Sequence, residues 1–194
     1  MLLLFTERRD IYLNGNNSLI RYRSNIAADD HVSESLQLSF RSKQTGNAVI
    51  FSMLYENDTN ALTISLHHGA LLFTFGDESK LQSSDASYVG SKSYSDGKWH
   101  HMWLFLGKDF QHWWTDAAMM ALSLTKPLQF REALKANKIY FGGNPVSGQM
   151  RFKGCIRLVD FGGQQFIFDE AHNDSNDRYQ LMEMTGTQAG CTRY

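Results

Sequence analysis

Proline and cysteine are both scarce, at two of each in 194 residues. Two cysteines exclude the bridge-dense scaffold of a miniature secreted domain. A 22.2 kDa chain does not need one, because at this length roughly 70% of the unfolded surface can be buried on folding. A surplus of one charge is missing as well. Nineteen basic residues stand against 20 acidic, for a net charge of −1, so this is no polycation built to displace counterions from a nucleic-acid duplex. Hydrophobic runs are short. None approaches the ~20 residues that cross a bilayer, and Met1-Leu2-Leu3-Leu4-Phe5 meets Glu7-Arg8-Arg9 before reaching the length of a signal-peptide core.

The patterns of common catalytic sites are absent too. There is no phosphate loop, no G-x-S-x-G elbow and no H-E-x-x-H. No strand-like segment carries Asp or Glu at alternate positions of an apolar face, as the carboxylate pair of a sandwich glycosidase requires. The chain is therefore not read as an enzyme. Zinc is not expected without a C-x-x-C or a paired His-Cys spacing. The adjacent pairs His67-His68 and His100-His101 point to opposite faces of a strand, which does not suit chelation of one ion.

What the sequence does have is aromatic mass and alternation. Thirteen Phe, eight Tyr and four Trp demand a packed core, and 15 glycines punctuate the chain. Ser35 to Arg41 places Leu36, Leu38 and Phe40 on one face; Leu62 to His67 and Leu71 to Phe75 repeat the period of two. His67-His68-Gly69 between the last two reads as a hairpin turn. Asp10 to Tyr12 and Leu19 to Tyr22 read as an early pair around Leu13 to Asn17. Further strands are expected over Ala48 to Tyr55, Trp99 to Leu106, Gln111 to Thr115, Lys138 to Phe141, Cys155 to Asp160 and Gln165 to Phe168. One short helix is expected over Leu128 to Ala136. About ten to thirteen short strands with turn residues between them argue for an all-β sandwich or barrel. Residues 1–9 read as an extension or first strand, and 10–194 as one domain.

Charge is laid out in blocks. Arg131 to Arg157 holds Arg131, Lys135, Lys138, Arg151, Lys153 and Arg157 against Glu132, a net of +5; Asp160 to Asp177 holds five acids and no base, a net of −5. These read either as solvated edges or as a basic rim for a sulphated glycan or acidic protein. In Trp99 to Leu106 the residues Met102, Leu104 and Leu106 should face the core. That leaves His101, Trp103 and Phe105 outward, with Trp113 and Trp114 nearby, as rings able to stack on sugars or anchor a partner. Asn16, Asn57 and Asn173 open N-x-S/T sequons compatible with secretion.

Three stretches in order carry a family resemblance: Asp96-Gly97-Lys98-Trp99-His100 leading into an alternating strand, Ile139-Tyr140-Phe141-Gly142-Gly143, and Phe152-Lys153-Gly154-Cys155-Ile156 with a late Gly190-Cys191. From about Asp10 to Cys191 the chain resembles the laminin G-like (laminin–neurexin–sex-hormone-binding-globulin) domain. The resemblance implies a jelly-roll sandwich of two antiparallel sheets, Trp99 plugging the sandwich edge, and Gly142-Gly143 letting two backbones approach. It favours one Cys155–Cys191 disulfide over two buried thiols. It also implies an extracellular, secreted or ectodomain, glycoprotein module that binds cell-surface or matrix proteins through rim loops at 57–60, 75–80 and 144–153. The alternative it implies is a sulphated-glycan module using Lys135, Lys138, Arg151, Lys153 and Arg157. Many members hold a rim calcium on oxygen ligands. Here those positions fall near Asn60, with Asp58 beside it, and at Arg151, whose guanidinium repels the ion and has no lone pair. No cofactor is therefore expected; Asp58, Asn60 and Asn144 are the ligands to watch if calcium binds.

Overall fold

The computed structural model describes residues 10–26, 35–76, 86–89, 93–106, 111–115, 118–121, 133, 135–146, 151–166, 168 and 178–191, with the backbone alone at 75, 86–89, 105–106, 111–114, 118–121, 158 and 164–165. Fifteen strands are described: β1 (Ile11–Asn14), β2 (Leu19–Ser24), β3 (Ser35–Arg41), β4 (Ala48–Leu54), β5 (Asn60–His67), β6 (Ala70–Phe75), β7 (Ala86–Val89), β8 (Trp99–Leu106), β9 (Gln111–Thr115), β10 (Ala118–Ala121), β11 (Lys138–Phe141), β12 (Lys153–Phe161), β13 (Gln164–Phe166), β14 (Tyr179–Thr185) and β15 (Thr187–Ala189). They form two sheets. Sheet A runs β10-β9-β8-β3-β12-β1-β15 with β13 paired to β12, and sheet B runs β14-β2-β11-β4-β5-β6-β7. Every pairing between these strands is antiparallel.

The alternation does what a period of two dictates. Leu36, Leu38 and Phe40 of β3 enter the core, and their register partners Leu104, Met102 and His100 of β8 enter beside them. The two inner faces close around Phe40, Phe51, Phe73, Phe141 and Phe161. Phe141 sits at the centre, with ring centroids 5.3 Å from Phe51, 5.4 Å from Phe166 and 5.1 Å from Phe168. Removing such a side chain from water contributes about 1.5–3 kcal/mol apiece. β4 is buried at all seven positions, which is why it reads as a continuous apolar run and not an alternating one. Between β5 and β6, His68 and Gly69 both take positive φ (50° and 82°), the primed two-residue turn that matches strand twist.

Two expectations are corrected. β1 and β2 do not form a hairpin: β1 pairs with β12 and β15 in sheet A, while β2 pairs with β11 and β14 in sheet B, so Asn14 to Ser18 bridges the layers. The strand count exceeds the expected range because β7, β10, β14 and β15 carry no clean apolar alternation. The helix expected over Leu128 to Ala136 lies mostly outside the described residues, as do residues 1–9 and the tip expected at 77–80. Cys155 of β12 and Cys191 form the disulfide, closing a separation of 36 residues.

Candidate functional site

The end of the sandwich where β3 and β11 finish and β8 and β12 begin is fastened by side chains that take the place of strand partners. The Gln44 amide donates to Arg151 O at 3.1 Å and accepts from Lys153 N–H at 2.8 Å. Ser42 Oγ donates to Lys153 O (2.8 Å), and Ser95 Oγ donates to Gln44 O (2.5 Å). In the adjoining turn, Asp96 Oδ1 accepts from Lys98 N–H (2.9 Å) and lies 2.8 Å from His100 Nε2. The Lys98 N–H, and after it the His100 ring, hold the Asp96 carboxyl below the ordinary carboxylate range. His100 is buried against Phe40 and Tyr94. Trp99, expected at the sandwich edge, does not point into the sandwich. One residue out of phase with His100, it stands on the outer face of sheet A, where the Arg157 guanidinium lies 3.9 Å from its ring centroid and that of Arg41 5.2 Å.

Beyond β11 the chain doubles back over the outer face of sheet B. Ser52 Oγ donates to Gly143 O (3.0 Å), Asn144 Nδ2 donates to Asn60 Oδ1 (2.5 Å), and Asn144 Oδ1 accepts from Val146 N–H (2.9 Å). A Cβ at Gly143 would stand 2.5 Å from Arg151 Nη1, so the position is glycine to admit a guanidinium and not a second backbone. Of the three candidate calcium ligands, Asn60 and Asn144 come together and Asp58 is committed elsewhere, with its Oδ1 2.8 Å from Lys138 Nζ. That carboxylate holds the Lys138 ammonium above its ordinary range. Both amide oxygens accept internal hydrogen bonds, the carboxylate is paired, and the Arg151 guanidinium lies against Gly143. This donor set does not fit a calcium ion, which needs oxygen atoms able to turn toward it.

The five candidate basic residues are divided. Lys138 pairs with Leu54 at one end of sheet B, and exposed Lys135 precedes it. Arg151 and Lys153 belong to the opposite end, beside Val49 and Asn14. Arg157 lies on sheet A facing Ser39. Register across β8, β3 and β12 sets out three rows on that outer face: Trp99–Arg41–Cys155, His101–Ser39–Arg157 and Trp103–Gln37–Asp160. His101 Nδ1 and Ser39 Oγ are 2.7 Å apart, and Trp103 is 47% exposed. The side chains of Phe105, Trp113, Trp114 and Leu106 lie outside the described residues, as does Asn173; in register, Trp114 stands opposite Trp103. Asn16 and Asn57 are exposed in turns, and Asn57 Oδ1 accepts from Thr59 Oγ1 at 2.7 Å.

Sequence reasoning overlooked two residues. Arg41 closes the alternating run of β3, and its phase alone places it on the outer face, where it also donates to Cys191 O (2.6 Å). Val146, 53% exposed, had no alternation partner to flag it.

A family model described as "Laminin G domain" matches residues 40–164, more than half of the chain. Among solved structures, domains LG4-5 of the mouse laminin alpha1 chain are similar at 19% identity and a TM-score of 0.61, over 92% of this chain and 46% of that one. The LG1-3 region of the laminin alpha2 chain is similar at 15% identity and a TM-score of 0.60, over 94% and 34%. A native heptameric SAP-like pentraxin from Limulus polyphemus is similar at 11% identity and a TM-score of 0.58, over 96% of each chain. The chain thus spans less than half the length of the two laminin structures. These structural likenesses speak for the fold alone. No curated protein sequence matches.

Proposed function

The chain belongs to the laminin G domain family, and from that premise we propose that it is an extracellular recognition module, not a catalyst, that binds a cell-surface or matrix protein through its rim without calcium. The observation that carries this reading is Val146. It is an apolar side chain held 53% exposed at the rim by a chain of hydrogen bonds from Val146 N–H through Asn144 to Asn60, with Ser52 fixing Gly143 beneath. Backbone already fixed at Gly143, Asn144 and Val146 loses little entropy on docking, and an exposed apolar anchor supplies the contact. In this reading the Arg151 guanidinium, which lies against Gly143, stands where an oxygen ligand would be needed, and recognition proceeds from protein groups alone. Among the described residues no helix is long and apolar enough to cross a membrane. Exposed Asn16 and Asn57 are available to a glycosylation apparatus.

A screen of receptor ectodomains and matrix proteins, run with calcium and with a chelator, tests this. The expected result is a partner whose affinity is unchanged by chelation and falls about tenfold in Val146→Asp, the ratio of roughly 1.4 kcal/mol at a buried anchor. Calcium-dependent binding, or a melting temperature that rises with calcium, overturns the metal-free rim. The alternative, a sulphated-glycan module, draws its support from Arg157 among the five candidate bases, because the other four are shared between the two ends of the molecule.

A further inference from the structure

We propose that Arg151 is a carboxylate anchor in the rim, and that the protein partner presents to it an acidic side chain standing close to an apolar one. This rests on the reading of the rim as a protein-docking surface and names the chemistry of the partner.

Arg151 carries a charge without a counter-charge. The residue is part-buried, its Nη1 is closed off from solvent, and that nitrogen has no hydrogen-bond partner. Among the described residues no carboxylate pairs with the guanidinium: Asp58 is held by Lys138, and Asp96 by Lys98 N–H and His100. A buried cationic donor left unsatisfied destabilises a fold. This fold nonetheless keeps the side chain in place. Gly143 leaves room for it, since a Cβ there would stand 2.5 Å from Arg151 Nη1 and 2.7 Å from its Cδ. The Arg151 backbone is pinned by its bridge to Val49 and by Gln44 Nε2, which donates to Arg151 O at 3.1 Å. A guanidinium held in position with no internal anion is set for an anion from outside, and its planar fork matches the two oxygens of a carboxylate.

The surroundings choose among the anions. A sugar acid brings hydroxyls with its carboxylate, and these need open donors and acceptors. Beside Arg151 the polar groups are turned inward. Asn144 and Ser52 are buried, with Asn144 bonded to Asn60 and Val146 N–H and Ser52 to Gly143 O. The Gln44 amide is bonded at both its ends to the backbone of Arg151 and Lys153. What stays open is the charge of Arg151 and the apolar side chain of Val146. The chain from Gly143 to Val146 spans at most ~11 Å, and the turn closed by Asn144 Oδ1 on Val146 N–H shortens it. An acidic residue within about three positions of an apolar one, on an extended partner segment, reaches both.

Two measurements on the full chain test this. The first is a nuclear magnetic resonance titration with a blocked tripeptide holding aspartate and leucine around a glycine, its asparagine twin, its twin with serine in place of leucine, and glucuronate. The aspartate–leucine probe is expected to shift the amide signals of Gly143, Asn144 and Val146. It is expected to bind about tenfold more tightly than the asparagine twin or glucuronate, with an affinity that falls with salt. Arg151→Gln is expected to erase the preference for aspartate over asparagine, and Val146→Ser the preference for leucine over serine. The second measurement needs no ligand. Arg151→Met keeps an extended side chain and removes the unpaired charge, so its urea midpoint is expected to rise, where loss of a structural arginine would lower it. No binding of the aspartate–leucine probe, an asparagine twin or glucuronate that binds as tightly, a preference for aspartate that survives Arg151→Gln, or a lower midpoint in Arg151→Met each overturns the proposal; glucuronate as an equal assigns the guanidinium to sugar acids. A receptor or matrix protein that loses affinity in Val146→Asp but not in Arg151→Gln leaves the docking rim standing and sinks the carboxylate anchor. The aspartate–leucine probe bound at Arg151, with no protein partner affected by Val146→Asp, sinks the docking rim and keeps the anchor.

Discussion

Asp96 gives its turn a pH dependence. Its carboxyl titrates lower in the folded protein than in the unfolded chain, chiefly through the Lys98 N–H and then through His100. A depressed carboxyl contributes stability above its unfolded pKa of about 3.9, and that contribution is lost as pH falls through the lower folded value. Asp96→Asn is expected to flatten this loss: between pH 6 and pH 3 the wild-type melting temperature should fall further than that of the variant, and equal falls would remove the carboxylate from the account. Gly154 is constrained by space and not by dihedral angle, because a Cβ there would collide with Arg41 O and the Phe152 ring. Gly154→Ala is therefore expected to cost about 3 kcal/mol in urea unfolding, at the upper end for overpacking. The motif residues were legible in the sequence, and so was the phase of β8: with Met102 and Leu104 inward, a period of two sends His100 inside and Trp99 out, and the register with β3 agrees.

Among the elements, legibility followed the apolar pattern. β3, β8, β9 and β11 were read at their true bounds and β4, β5 and β6 nearly so. β14 escaped because its register slips between Leu181 and Glu183, so its partly buried residues do not alternate, and β15 because Thr187-Gln188-Ala189 has no apolar face to read. The β1–β2 misreading has a physical cause as well: a short polar turn between two apolar segments looks the same whether the chain reverses within a sheet or steps across to the other one. The bound pair Asn60–Asn144 was foreseen as a pair of positions, but the hydrogen bonds that commit their oxygens belong to tertiary structure. Phe141 gives the element-scale test. As the ring shared by β11 and its neighbours, its replacement by Ala is expected to cost 3–5 kcal/mol, of the order usual for a buried Phe, and a loss below about 1 kcal/mol in denaturant melts would mean the core is not closed around it.

For the molecule as a whole, the disulfide joins the middle of sheet A to the tail that has just left its edge. Reduction, or Cys155→Ser with Cys191→Ser, is expected to lower stability by about 4 kcal/mol, the loop-closure value for this separation. Urea midpoints with and without reductant measure it, and coincident midpoints overturn it. The tail itself crosses between the layers: β14 edges sheet B and, one glycine later, β15 edges sheet A. A recognition module of the kind proposed is also pulled upon. Tension applied to the backbone beyond Cys191 passes through the sulfur–sulfur bond directly into β12, in the interior of sheet A. The loop from Cys155 to Cys191, with β13, β14 and β15 inside it, lies off the line of force, so a tug that would peel two marginal edge strands is delivered instead to a strand gripped on both sides.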